Sequence, residues 1–267
     1  MKATLNIHAG LRQKSTILKS VFATTPYKLA NITEDKQGQV LELMIMSNSP
    51  GILDGDQHAV QVELEAGTNI RLHTQSYQRL FNMQKSASLS FSVNMAANSS
   101  FFYLPHPTVP HKASSFSITN NIRLAENCTL VFGEIITCGR KLNGEVFSFT
   151  KYTCQTQIFL HEKLVIKENL RLEPAAVNIY AVGQLEGFTH QATLIYLRER
   201  SNIPALILQI SELLLHEKGI VFGISEAPVS GLVCRFLGLK AEQLHDCLKR
   251  IGEFLFQIQG VKTDIYA

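Results

Sequence analysis

Asp54 and Asp56 flank a glycine in the run Ser49-Pro50-Gly51-Ile52-Leu53-Asp54-Gly55-Asp56. Two carboxylates so spaced can converge on one cation, because glycine permits the tight backbone such a turn needs. Without further ligands they make a weak site, and a polar turn accounts for the same residues. Charge distribution sharpens the first reading. From Gln39 to Ile70 there are five acidic residues and no Lys or Arg, whereas Met1 to Leu29 carries five basic residues and no acid. Such a split suggests a field that draws cations to one part of the surface and an anionic partner to another.

Further polar residues interrupt an otherwise apolar pattern. In Ile70-x-Leu72-His73-Thr74-Gln75, alternation places Thr74 on the face of Ile70 and Leu72, with His73 and Gln75 pointing away. His106 and His111 stand among Pro105, Pro107 and Pro110, and three prolines in six residues predict a rigid extended loop. That loop is expected to be exposed, outside any central strand, and suited to docking a partner. Glu134 and Glu145 bracket Arg140, and Glu168 follows later. Arg140 is expected to bridge to a carboxylate and orient it, since buried charges are paired.

These residues need a scaffold, and the first two-thirds of the chain reads in period two. Residues 60–64, 89–93 and 145–149 are strand-like, and turn clusters such as 66–69 and 97–100 separate the strands. A repeat is visible. Val62-x-Leu64, five residues, then Ile70-x-Leu72 recurs from Val93 with Phe101-x-Tyr103, and again from Ile122 with Leu130-x-Phe132. A looser fourth copy joins Ile158-x-Leu160 to Ile166-x-Glu168. Strand–turn–strand units that cannot bury an apolar face alone must stack, giving a layered, β-helix-like fold. A β-sandwich of hairpins is the competing arrangement.

The period changes near the end of the chain. Pro204 opens a helical face of Leu206, Ile207, Ile210, Leu213 and Leu214. Strand-like pieces follow at 219–225 and 230–237. Leu244, Leu248, Ile251, Leu255 and Ile258 then mark a second helix. No linker intervenes, so residues 1–267 read as one domain, strand-rich over 1–200 and helix–strand–helix over 201–267.

Composition and missing motifs exclude several functions. Apolar residues make up 45% of the 267, enough for a core, and a net charge of +3 is too small for a chain that lives on phosphate contacts. No apolar run approaches a membrane span and no secretory leader is apparent, so a soluble cytoplasmic protein is expected, with neither membrane nor nucleic acid as partner. Five cysteines without a C-x-x-C pair argue against a disulfide framework or a structural zinc. There is no P-loop and no dinucleotide fingerprint. His161-Glu162 and His216-Glu217 lack the second histidine of a zincin, and no nucleophile elbow occurs, so no enzymatic activity is expected.

Taken in order, the motifs resemble one family, the urease accessory proteins of the UreD (UreH) type. They run from Ser15-Thr16-x-Leu18 and Pro26-Tyr27-Lys28-Leu29 through Ser49-Pro50-Gly51 to Gly55-Asp56, then Gly67 to Thr74-Gln75. Leu104-Pro105-x-Pro107-x-x-Pro110, the Glu134 to Gly139-Arg140 and Gly144-Glu145-x-Phe147 block, Glu168-x-x-x-Leu172-x-Pro174 and Gly231 to Arg235-x-Leu237-Gly238 complete the series. The resemblance implies a mostly β fold and a non-enzymatic scaffold for assembly of the nickel centre of urease. It implies as partners the urease apoprotein, a UreF-like protein and, through the complex, a UreG-like GTPase. No cofactor is expected to be tightly bound, and Ni²⁺ would pass in transit. A moving cation needs weak, spaced oxygen or imidazole steps, because tight ligation would trap it. Asp54, Asp56, His73, Thr74, Gln75, Glu134, Glu145 and Glu168 are the expected route. Arg140, Gly51 and Gly55 would shape it, and Pro105 to His111 and the terminal helix would dock partners. The alternative is a small-molecule or carbohydrate-binding β domain with unrecognised activity, though the chain has no tryptophan for sugar stacking.

Overall fold

A computed structural model describes residues 1–35 and 38–259. The chain opens with two hairpins, β1 (Lys2–Arg12) with β2 (Ser15–Ala23), and β3 (Tyr27–Asn31) with β4 (Val40–Ser47). Coiling begins at β5 (Gln57–Leu64) and β6 (Asn69–Thr74), with a short β7 (Gln78–Leu80) after them. A second coil is β8 (Ala87–Met95) and β9 (Ser100–Tyr103), followed by the short β10 (Thr108–Pro110). The third is β11 (Ser115–Leu124) and β12 (Thr129–Thr137); β13 (Lys151–Leu160) starts a fourth. Strands β5, β8, β11 and β13 pair in parallel in one seven-stranded sheet, which β1, β2 and β14 (Lys163–Leu172) complete. Strands β4, β6, β9 and β12 pair in parallel in a facing ten-stranded sheet.

The repeat is the register of this stack. Val62 lies opposite Val93, Val93 opposite Ile122 and Ile122 opposite Ile158, while Ile70, Phe101 and Leu130 align in the other sheet. These side chains meet between the sheets and are almost wholly buried. Each apolar strand face is covered only by the next coil and the opposite sheet, so stacking is what removes it from water. The turns repeat too. Gly67, Asn98 and Asn127 occupy equivalent positions at φ of 74°, 59° and 55°, a region Gly and Asn tolerate best. Thr68 Oγ1 and Ser99 Oγ, one residue further on, donate back to the carbonyls of Glu65 and Ala96 at 2.7 and 2.6 Å.

Two expectations fail here. The fourth repeat holds only in its first half. His161 and Glu162, at φ of 49° and 61°, form a tight hairpin turn, and β14 folds back antiparallel on β13 with Ile166 opposite Ile158. Glu168 therefore lies in the first sheet rather than facing it. Residues 145–149 form no strand, because Phe147 takes φ 50° and donates its N–H to the Cys138 carbonyl at 2.7 Å. Their alternation arises because Phe147 and Phe149 plug the end of the stack, both buried.

The last elements lengthen the ten-stranded sheet by three strands and cover its outer face with two helices. They are β15 (His190–Arg198), α1 (Ile203–Leu214), β16 (Ile220–Glu226), β17 (Gly231–Gly238) and α2 (Ala241–Gln257). Strand β15 pairs antiparallel with β12, then β17 and β16 extend the edge. In α2, Leu244, Leu248, Ile251 and Leu255 are fully buried against that sheet, whereas Ile258 lies past the helix end and is exposed. Arg71 of β6 ties the helix down by pairing with Glu253 and stacking on Phe256. No described helix is long and apolar enough to cross a membrane. At the start of α1 the Asn202 side chain accepts the Ala205 N–H at 3.2 Å. Removing this cap in Asn202→Ala is expected to cost about 1 kcal/mol, read as a lower urea midpoint at unchanged m-value.

Candidate functional site

The coils leave two different edges. Short turns close one; at the other, longer connections return from the ten-stranded sheet to the seven-stranded one. Segments 48–56, 75–86, 104–114 and 138–150 all lie on this second edge, and they carry most of the polar motifs.

Asp54 and Asp56 do not converge on a common point. Asp54 is exposed and accepts the Lys85 N–H at 2.9 Å. Asp56 is 3% exposed, closes its own turn through the Leu53 N–H at 2.9 Å and lies 2.9 Å from the Met1 amino nitrogen. His58 sits beside it, 3.6 Å away, with Nδ1 2.8 Å from the Tyr27 hydroxyl. The run is thus a structural turn. Gly51 is required by space, since a Cβ there would meet the Arg79 carbonyl at 2.3 Å, while Gly55 turns the chain at φ 79°.

The expected cation-attracting field dissolves for the same reason. Sheet pairing brings β1 and β2 alongside β5, so Lys19 bonds Glu65 at 2.6 Å, and across the other sheet Glu42 faces Arg71 and His73. The acidic stretch is largely neutralised by its own chain.

What does come together is a line of cavities between the sheets. The first, about 100 Å³, is lined by Thr74, Ser76, Gln78, Pro105, His106, Asn120 and Glu134 among apolar neighbours. The second, about 110 Å³, is lined by Glu134, Tyr152, Cys154, Glu168, Gln191 and Thr193. A third of about 120 Å³, lined by Gly51, Thr74, Gln75 and Ser76, adjoins the first. Thr74 is shared by the outer pair and Glu134 by the inner pair. Each has room for a few waters, well short of the roughly 300 Å³ or more of small-molecule pockets.

Glu134 is the polar centre. Its carboxylate accepts from Asn120 Nδ2 at 2.7 Å, Cys154 Sγ at 2.8 Å and Thr156 Oγ1 at 3.4 Å. Burial pushes the Glu134 carboxyl above its ordinary pKa, against these three donors. Asn120, Cys154 and Thr156 were missed in the sequence, although a signal exists. Asn120 shares the inward face of β11 with Phe116, Ile118, Ile122 and Leu124, a polar residue where alternation demands an apolar one. Glu168 lines the far cavity and pairs with Arg235 at 2.5 Å.

At the other end, Thr74 Oγ1 accepts the His106 N–H at 2.9 Å and lies 3.0 Å from His106 Nδ1. The His106 ring lies 4.6 Å from that of His245, a buried α2 residue that α-helical periodicity conceals, and His245 Nε2 has no hydrogen-bond partner among the described residues. Burial and then Lys249 lower the pKa of both imidazoles, His245 to about 4. Neutral rings of this kind offer a lone pair to a divalent metal.

Other expectations are corrected. The proline-rich segment is no exposed loop: β10 pairs between β7 and β12, and Pro107, Thr108, Pro110 and His111 are buried. Leu104, Pro105, His106 and Val109 keep partial exposure. Pairing tolerates these prolines because Pro107 takes part through its carbonyl, which accepts the Gln78 N–H at 3.1 Å, and the donor beyond Pro110 is the His111 N–H, to the Leu80 carbonyl at 2.9 Å. Arg140 grips Glu145 with two nitrogens, Nε at 2.9 Å. This bond, with burial opposing and the Lys112 N–H assisting, holds Glu145 at about 2. Glu145, His73, Asp54 and Asp56 do not line the two inner cavities. Among the described residues no three His, Cys, Asp or Glu side chains form a group that could hold a metal ion.

Comparison with known proteins agrees with the resemblance. The profile described as UreD urease accessory protein matches residues 1–263. A protein named urease accessory protein UreD from Flavobacterium johnsoniae is 43% identical over 253 residues, 94% of this chain and 91% of its own length. One of the same name from Acetivibrio thermocellus is 31% identical over 256 residues, 96% of this chain and 97% of its own. Another from Haemophilus influenzae is 33% identical over 268 residues, covering 96% and 99%. With its stacked parallel coils, its ordered motifs and this full-length similarity, the chain belongs to the UreD family of urease accessory proteins.

Proposed function

We propose that this protein is a cytoplasmic, non-enzymatic scaffold for urease maturation, which binds the urease apoprotein together with UreF- and UreG-like proteins and passes Ni²⁺ between its sheets. The supporting observation is Glu134, a carboxyl shared by two adjoining cavities and held there by Asn120, Cys154 and Thr156. Ni²⁺ is the cargo. It would be handed along single oxygen or nitrogen groups, from Gln75, Thr74 and His106 to Glu134 and on to Glu168. One strong ligand per step lets the ion leave as readily as it binds. Burial raises the Glu134 pKa, so a cation arriving beside it competes with a proton for the carboxylate, and transfer is expected to slow as pH falls.

Glu134→Gln preserves shape and one acceptor but removes the charge. Urease matured with this variant is expected to contain several-fold less nickel per active site, with the accessory complex recovered at normal yield. Full nickel content with an intact complex would remove Glu134 from the route.

A further inference from the structure

A separate cleft of about 660 Å³ opens on the long-connection edge, where β7, β10 and the 138–145 loop meet the start of α2. Its charge is one-sided. Arg79, Arg140, Lys141 and Lys240 line it against Glu242 as the one acidic lining residue. Arg140 is matched by Glu145 and Glu242 accepts from Tyr77 at 2.9 Å, yet Arg79, Lys141 and Lys240 make no side-chain ion pair among the described residues. All three are exposed. Two imidazoles on the wall register the excess. Cations add to burial in lowering both, Arg140 and Arg79 acting on His111 and Lys141 on His190.

The cleft is also apolar in part. Leu142 is fully exposed at its rim, Leu239 is 43% exposed, and Phe81 and Val109 lie within. A free anion has no use for these contacts, whereas an extended peptide with carboxylates and apolar side chains uses both kinds. The volume suits a short stretch of chain rather than a folded surface.

We infer that this cleft docks an acidic, extended segment of a partner protein, with Arg79, Lys141 and Lys240 receiving its carboxylates and Leu142 and Leu239 its apolar side chains. The inference rests on reading the protein as an assembly scaffold, and it assigns the contact to residues that line neither inner cavity.

The test uses the full chain and a fluorescein-labelled ten-residue peptide of alternating Glu and Leu, followed by anisotropy at two salt concentrations. Three proteins are compared: the wild type, Lys141→Glu/Lys240→Glu, and the equal charge change elsewhere, Lys28→Glu/Lys163→Glu. The expected result is at least tenfold weaker binding for the cleft variant, with the control unchanged and affinity falling as salt rises. Equal losses in both variants, or no binding by the wild type, would overturn the inference. Displacement of the peptide by pyrophosphate at micromolar concentration would also overturn it in favour of a phosphate site. The nickel reading is separable, because peptide binding should be unaffected by Glu134→Gln.

Discussion

His190 and His245 should together contribute on the order of 4 kcal/mol of destabilisation when the pH is lowered from 7.5 to 5, about half from each. Both are nearly buried, 7% and 5% exposed, and both have pKa values lowered to about 4. For His190 the cause is burial, then Lys141, opposed by Glu242. For His245 it is burial, then Lys249 and His106, opposed by Asp246. The unfolded chain takes up a proton near pH 6.5, whereas the folded chain refuses it until about pH 4. Between these values the unfolded state binds more protons, so stability is complete above pH 6.5 and declines as pH falls towards 4. Glu145 acts in the same direction only lower, its contribution lost as pH falls through about 2. Urea midpoints at pH 7.5 and 5.0 measure the effect. His190→Gln and His245→Gln should each remove about 2 kcal/mol of the difference; an unaltered pH dependence in both would defeat the assignment.

Gly139→Ala should cost about 3 kcal/mol and lower Tm by roughly 6–12 °C. Gly139 sits at φ 117°, where a side chain is strained, and a Cβ there would meet two backbone carbonyls, Glu145 and Pro110, each at 2.8 Å. Neither carbonyl can swing aside as a flexible side chain would, because one belongs to the loop carrying the Arg140–Glu145 pair and the other ends β10. Thermal unfolding followed by circular dichroism gives the readout. Gly223→Ala, in β16 with open space around it, is the control and should change Tm little. Equal Tm for the two variants would show that the loop yields without cost.

Much of this architecture was legible in sequence. The 62–72, 93–103 and 122–132 copies declared the stacked coils because an apolar face that is useless alone must be repeated to be buried. The fourth copy misled because Ile158 to Ile166 has the same spacing in a hairpin as in a coil; the choice lies in two turn residues at positive φ. The proline-rich segment misled for a related reason. Three prolines exclude a long central strand, but β10 needs few bonds, and its burial comes from neighbours far away in the chain.

For the site, the sequence alone determined which residue types were available and placed them in family motifs. It could not say which of them meet. Asp54 and Asp56 are two residues apart and diverge, because each is satisfied by a different backbone group. Glu134, Asn120, Cys154 and Thr156 are separated by up to 36 positions and converge, because stacking puts inward polar residues of successive coils across one gap. The family and the coil were thus local and periodic properties. The shared cavities and the basic cleft were decided only in three dimensions, since desolvation and charge pairing depend on neighbours that the chain order does not reveal.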